Sequence, residues 1–142
     1  MMFVIEKDGK SILWAHDTGL FHSDAIEWIK DSGIVFDFVS MDCTLRRGAQ
    51  ITKSHMDLDW CIETANMLRA YGNANENTKF ALSHIGHLVD RTHDELTAEA
   101  AEFVRQTGVT CLAVLIGNAH GHYKKPPKLD IDRVKAIREA TG

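Results

Sequence analysis

Residues 80–87 read Phe80-Ala81-Leu82-Ser83-His84-Ile85-Gly86-His87, and the reading of the fold turns on them. Phe80-Ala81-Leu82 is a short apolar run of strand type. It ends in two imidazoles, His84 and His87, separated by a glycine that lets the backbone turn sharply. Histidines at the end of a strand suit metal binding or acid/base chemistry, although the same residues also occur in plain solvated loops. Downstream, Thr92-x-x-Glu95 is a capping-box pattern. The helix it starts carries Leu96, Ala100, Phe103 and Val104 on one face and ends at Gly108. Val109 to Ile116 is a continuous apolar run, the pattern of a strand covered on both faces. Strand, helix and strand in that order predict a right-handed βαβ crossover. If its strands are neighbours, their carboxyl ends lie about 5 Å apart, and His84 and His120 face one cleft.

Upstream, Phe3-Val4-Ile5 and Ile12-Leu13-Trp14 flank Asp8-Gly9, a hairpin signal because both turn residues tolerate positive φ. The second run leads into Ala15-His16-Asp17-Thr18-Gly19. Ser23 is expected to cap a short helix closed by Ser32-Gly33, with Ile26 and Ile29 inward. Ile34 to Met41 is expected as a buried strand, ending in Asp42-Cys43-Thr44. Leu45 to Ser54 lacks periodicity and reads as an exposed loop. From Asp57 to Tyr71, Leu58, Cys61, Ile62, Ala65 and Leu68 keep helical spacing, and Gly72 stops the helix. After a loop containing Pro126-Pro127, Asp130 caps a last helix with Ile131, Val134 and Ile137 inward.

The order ββαβαβαβα predicts an α/β fold. It is a mixed sheet, a hairpin followed by alternating strand–helix units, with helices packed on it. In such sheets chemistry collects at the carboxyl ends of strands. Here those ends carry Asp17, Asp42, His84 and, a few residues on, His120.

The chain has 142 residues, 44% hydrophobic and 25% charged, which suits a single domain. The net charge of −4 is spread, with no basic stripe, so nucleic acid is not an expected partner. No apolar run reaches membrane-spanning length, and the acidic Glu6 comes too soon for a signal peptide. Cys43, Cys61 and Cys111 are odd in number and far apart, as in a reducing compartment. A cytoplasmic location is expected.

A carboxylate and neutral imidazoles can hold divalent metals, which deprotonate water or clamp a phosphoryl or acyl oxygen. Asp17 and His84 are such residues, and His55, at a helix entrance, is placed to donate a proton or stabilise charge. Several pieces stand in order: the hairpin Ile5 to Leu13, His16-Asp17-Thr18-Gly19, Phe36-Asp37 to Asp42-Cys43-Thr44, His55-Met56 and Leu82 to His87. On these, residues 3–97 resemble the C-terminal half of a metallo-β-lactamase-fold hydrolase of the phosphodiesterase and tRNA 3′-processing type. The resemblance implies half of an αββα sandwich. It implies that Asp17 bridges two metals, Zn²⁺ or Mn²⁺, that His84 is a ligand, and that His55 lies near the scissile phosphate. His87 is expected just behind the ligands. The family's His-x-His-x-Asp-His motif does not occur in the chain.

The tail runs Ala101-Glu102-Phe103-Val104, Leu112-Ala113-Val114, Ile116-Gly117-Asn118-Ala119-His120-Gly121, Tyr123-Lys124 and Pro127-Lys128-Leu129-Asp130. Residues 101–142 thereby resemble a βα segment of a class II, zinc-dependent fructose- or tagatose-bisphosphate aldolase. The resemblance implies a barrel-derived unit, a zinc ligand in His120, a backbone contact from Gly121 to the substrate phosphate, and retro-aldol chemistry.

The combined expectation is one domain, 1–142, of chimeric appearance, with a join near 97–101 between a hydrolase-like 1–97 and an aldolase-like 98–142. The leading function is a metal-binding relative of metallo-β-lactamase-fold hydrolases, acting weakly or not at all on phosphodiesters or similar esters. The first alternative is a zinc-dependent ketose-bisphosphate aldolase. The second is a catalytically silent, chimeric or truncated domain. A small phosphorylated substrate and a homo-oligomer are the expected partners.

Overall fold

The computed structural model describes residues 2–45, 47–48, 54–85, 92–108, 111–114, 126 and 129–142, without the side chains of 85, 93, 96 and 111–114. In chain order the elements are β1 (Met2–Lys7), β2 (Lys10–Ala15), α1 (Ser23–Ser32), β3 (Phe38–Asp42), α2 (Leu58–Ala70), β4 (Lys79–Ile85), α3 (His93–Thr107), β5 (Cys111–Val114) and α4 (Ile131–Thr141). This is the expected ββαβαβαβα order.

The strands form one sheet in the order β1-β2-β3-β4-β5. β1 and β2 pair antiparallel through the Asp8-Gly9 turn, whose residues have φ of 52° and 74°. Two consecutive positive φ values match the right-handed twist of the flanking strands. The other three pairings, β2 with β3, β3 with β4 and β4 with β5, are all parallel. The strands of the predicted βαβ unit, β4 and β5, are therefore neighbours.

Register assigns the two faces. Leu13, Val39 and Phe80 lie in one row, and Ala15, Met41 and Leu82 in the next. All six are buried, in one core with Ile29 of α1, Cys61, Ala65 and Leu68 of α2, and Phe103 of α3. These helices therefore cover the same face. Successive parallel strands as neighbours, with their helices on one face, follow the winding of a βα-barrel rather than that of a doubly wound sheet. The opposite face carries Phe3, Ile5 and Trp14, which are 50%, 49% and 40% exposed. The α/β mixed sheet stands as expected. Nothing among the described residues marks it as half of an αββα sandwich.

Local chemistry explains most boundaries. Asp57 caps α2 by accepting from the Trp60 N–H at 3.0 Å. Thr92 and Glu95 make the reciprocal capping box, and Gly33 and Gly108 close α1 and α3 in the left-handed conformation. Three expectations need correction. The cap of α1 is His22, not Ser23; His22 is extended, while the Ser23 hydroxyl turns to Asp24 at 3.1 Å. The strand expected from Ile34 begins only at Phe38. The preceding residues are tied to Asn73 instead, with the Phe36 N–H donating to its carbonyl at 2.8 Å and its amide donating to the Ile34 carbonyl at 2.9 Å. In α4 only Ile137 is buried, whereas Ile131 and Val134 are 52% and 40% exposed. α4 packs on α3 rather than on the sheet, so its inward stripe is narrow.

Candidate active site and metal centre

Parallel pairing aligns the carboxyl ends of β2, β3 and β4. Ala15 lies opposite Met41, and Asp42 opposite Ser83. The residues that follow these positions therefore converge. Asp42, the last residue of β3, is fully buried and is the hub. Its Oδ1 accepts from the Thr44 hydroxyl at 2.7 Å and the Thr44 N–H at 3.0 Å. Its Oδ2 accepts from the Asp17 N–H at 3.1 Å. Two imidazoles close on that same oxygen, His55 with Nδ1 at 3.2 Å and His84 with Nδ1 at 3.4 Å. Both rings thus meet the Asp42 carboxylate through Nδ1.

The backbone at this end of the sheet is bent to suit. Asp17 has φ of 46° and His84 φ of 63°, both in the left-handed region although neither is glycine. Such a conformation costs of order 1–3 kcal/mol and tends to gather at functional sites. At His84 it coincides with the irregular register between β4 and β5 from Leu82 to Ile85.

A second layer lies beside the hub, on the face of the sheet opposite the helices. His16 has Nε2 2.7 Å from the Ser40 hydroxyl and 3.1 Å from that of Ser83. Its ring lies 4.0 Å from Trp14, tilted by 31°, and meets His84 edge-on at 5.4 Å. Burial, and then the neighbouring His84, pull the His16 pKa below the ordinary imidazole value, against the partial opposition of Asp42 and Asp17. Below the hub, the Cys61 thiol donates to the Asp42 carbonyl at 3.2 Å. Burial, with the adjacent Cys43 thiol, pushes Cys61 well above the ordinary thiol range.

Of the residues singled out in the sequence, Asp17, His55 and His84 are brought together around Asp42. His87, His120 and Gly121 lie outside the described residues. Asp17, Asp42 and His55 each offer a donor atom, all within 4.8 Å of one another. Carboxylate oxygen and imidazole nitrogen together suit zinc or manganese, so this donor set fits a divalent ion. In the sequence Asp42 stands out only as a strand end, with no task attached. Nor does sequence alone attach one to His16, Ser40, Ser83 or Thr44. The signal for Asp42 was its position, matched to those of Asp17 and His84 on adjoining strands.

A second cleft, about 390 Å³, opens between α1 and α2 and is lined by Leu20, Phe21, Ile26, Trp60 and Met67. It is apolar and holds none of the groups above. No helix among the described residues is long and apolar enough to cross a membrane.

Comparison with known proteins bears on both fold and chemistry. The family model described as fructose-bisphosphate aldolase class-II matches residues 51–141. That match starts inside the part that resembles a hydrolase and runs through 97–101. Among solved structures, the X-ray crystal structure of the YdjI aldolase from Escherichia coli K12 is similar, with 25% sequence identity and a TM-score of 0.51. The similarity covers 89% of this chain and 40% of that one, so the chain spans well under half the length of the solved aldolase. Both comparisons name aldolases, and neither supports the metallo-β-lactamase resemblance or a chimeric chain.

Proposed function

The chain belongs to the class II fructose-bisphosphate aldolase family, and from that premise we propose that it serves metal-assisted aldol cleavage or condensation of a phosphorylated ketose. The observation that carries the reading is the gathering of Asp17, Asp42, His55 and His84 at the carboxyl ends of parallel strands, where βα folds place their chemistry. Asp17, Asp42 and His55 are the residues that would hold zinc or manganese. A divalent ion there supplies Lewis acidity toward a carbonyl oxygen. Asp42, within reach of Nδ1 of both His55 and His84, also sets where the two rings stand. His84, on Asp42 but beside the three-donor group, is placed to take the proton of the substrate hydroxyl as the carbon–carbon bond breaks. His120 and Gly121 remain proposed as a further ligand and a phosphate contact.

The test is zinc-dependent release of triose phosphates from fructose 1,6-bisphosphate, coupled to nicotinamide oxidation. We expect activity that chelation abolishes and that His84→Gln lowers by about 10²-fold or more. Turnover that survives both chelation and His84→Gln would overturn the assignment.

One observation favours a second reading, metal-assisted phosphoester hydrolysis. Asp17, His55 and His84, which the hydrolase resemblance singles out, meet at one carboxylate. Turnover of bis(p-nitrophenyl) phosphate without cleavage of the ketose bisphosphate would select it.

A further inference from the structure

The exposed face of the sheet has a feature that the proposed chemistry does not use. Trp14 and Phe3 are register partners across β1 and β2, and both remain largely exposed. Trp14 is not an isolated surface aromatic. Its ring rests at 4.0 Å on His16, which Ser40 and Ser83 hold and which touches His84 edge-on. The indole is therefore fixed in place one ring away from a residue of the proposed centre. Fixed aromatic surface next to converging polar groups is how sites bind the unreactive part of a ligand. An indole has a broad apolar face, suited to C–H groups, and a polar N–H at its edge.

We propose that Trp14, with Phe3 beside it, is the platform on which the carbon chain of a polyhydroxylated substrate lies, while its reacting end reaches the Asp42-centred cluster. The inference rests on the aldol reading for its choice of ligand: a sugar phosphate presents C–H groups to an aromatic face and hydroxyls to the surrounding polar groups. An inorganic anion has no surface for such a platform. His16 acts here as a positioning residue that holds the indole at its angle.

The test uses the full chain with Trp28→Phe and Trp60→Phe, so that Trp14 is its remaining tryptophan. Fructose 1,6-bisphosphate is titrated in the presence of zinc, with inorganic phosphate as the probe that lacks a carbon chain. The sugar phosphate is expected to change Trp14 fluorescence and phosphate is not. In the otherwise natural chain, Trp14→Ala is expected to raise the dissociation constant for the sugar phosphate roughly three- to tenfold by calorimetry. Trp14→Phe should stay within about twofold, since the aromatic face remains. The fluorescence change needs no substitution at position 14, so it stands even if Trp14→Ala folds poorly. Unchanged affinity in Trp14→Ala, an equal response to phosphate, or no binding of the sugar phosphate would each overturn the platform. Failure of the aldol reading is seen separately. Triose phosphate release would be absent, while the fluorescence change and the Trp14→Ala effect persist and support the platform.

Discussion

Asp42 has no exposed surface, yet five groups reach its two oxygens: the Thr44 N–H and hydroxyl, the Asp17 N–H, and the rings of His55 and His84. Asp42→Asn removes the charge and puts an NH₂ where one of those donors now points. Zinc affinity is expected to fall about tenfold or more, because a charged oxygen of the three-donor group is replaced by an amide. Calorimetric zinc titration checks this, and an unchanged affinity would free Asp42 of the role. Thr44→Val deletes only the hydroxyl bond and leaves the N–H bond, so a smaller loss on the same scale is expected. Cys61 gives a prediction of another kind. Its thiol is buried and its ionisation is pushed well upward, mainly by burial, so the nucleophilic thiolate is scarce at neutral pH. Iodoacetamide should leave Cys61 unmodified in the native protein and alkylate it once urea unfolds the chain, as read by peptide mass. Asp17 and His84 stood out in the sequence by type and strand-end position, and His55 by its place at a helix entrance. The role of Asp42 did not, because it comes from pairing between strands far apart in the chain. His16 reads as a loop residue until Trp14, Ser40 and Ser83 are known to adjoin it.

At the scale of elements, Asn73 shows how a turn residue sets where a strand begins. Its buried amide donates to the carbonyls of Ile29, at the end of α1, and Ile34, before β3, at 2.8 and 2.9 Å. Asn73→Ala leaves both carbonyls without that donor in a buried setting. A loss of about 1–3 kcal/mol in unfolding free energy is expected from urea titration. A loss under half a kilocalorie would mean that packing and the backbone bonds, not the Asn73 side chain, hold α1 to the start of β3. Thr92→Ala removes half of the capping box of α3 and should cost about 1 kcal/mol on the same measurement. The contrast between these sites explains what could be read beforehand. The capping box, the glycine stops and the Asp-Gly hairpin are local devices, and they were visible as short motifs. The late start of β3 depends on Asn73, far along the chain, and local periodicity ran the strand back to Ile34. The same limit applies to α4, where an apolar stripe was present but its neighbour proved to be another helix.

For the molecule as a whole, a face covered by helices and a face exposed along β1 and β2 meet at a single chemical end. The strands run in sequence order, and the helices lie on the side of Leu13, Val39 and Phe80. This gives the sheet the form of an arc of barrel, in keeping with a family match over residues 51–141 and a solved aldolase of which the chain spans 40%. Three ligand-bearing positions, Asp17, Asp42 and His55, come from separate segments, and an ion that joins them couples β2, β3 and the entrance to α2. An ion held only by the native state stabilises it by about 2.7 kcal/mol at a free concentration one hundred times its dissociation constant. For a chain of this size that corresponds to a rise of roughly 5–10 °C in Tm. Zinc added to the metal-stripped protein should produce a rise of this order, and Asp17→Asn together with Asp42→Asn should abolish it. Magnesium, which prefers six oxygens and keeps its waters, should give a smaller rise than zinc at equal concentration. Differential scanning calorimetry with both ions separates the cases. No rise with zinc, or an undiminished rise in the double variant, would show that these three residues do not form the metal centre.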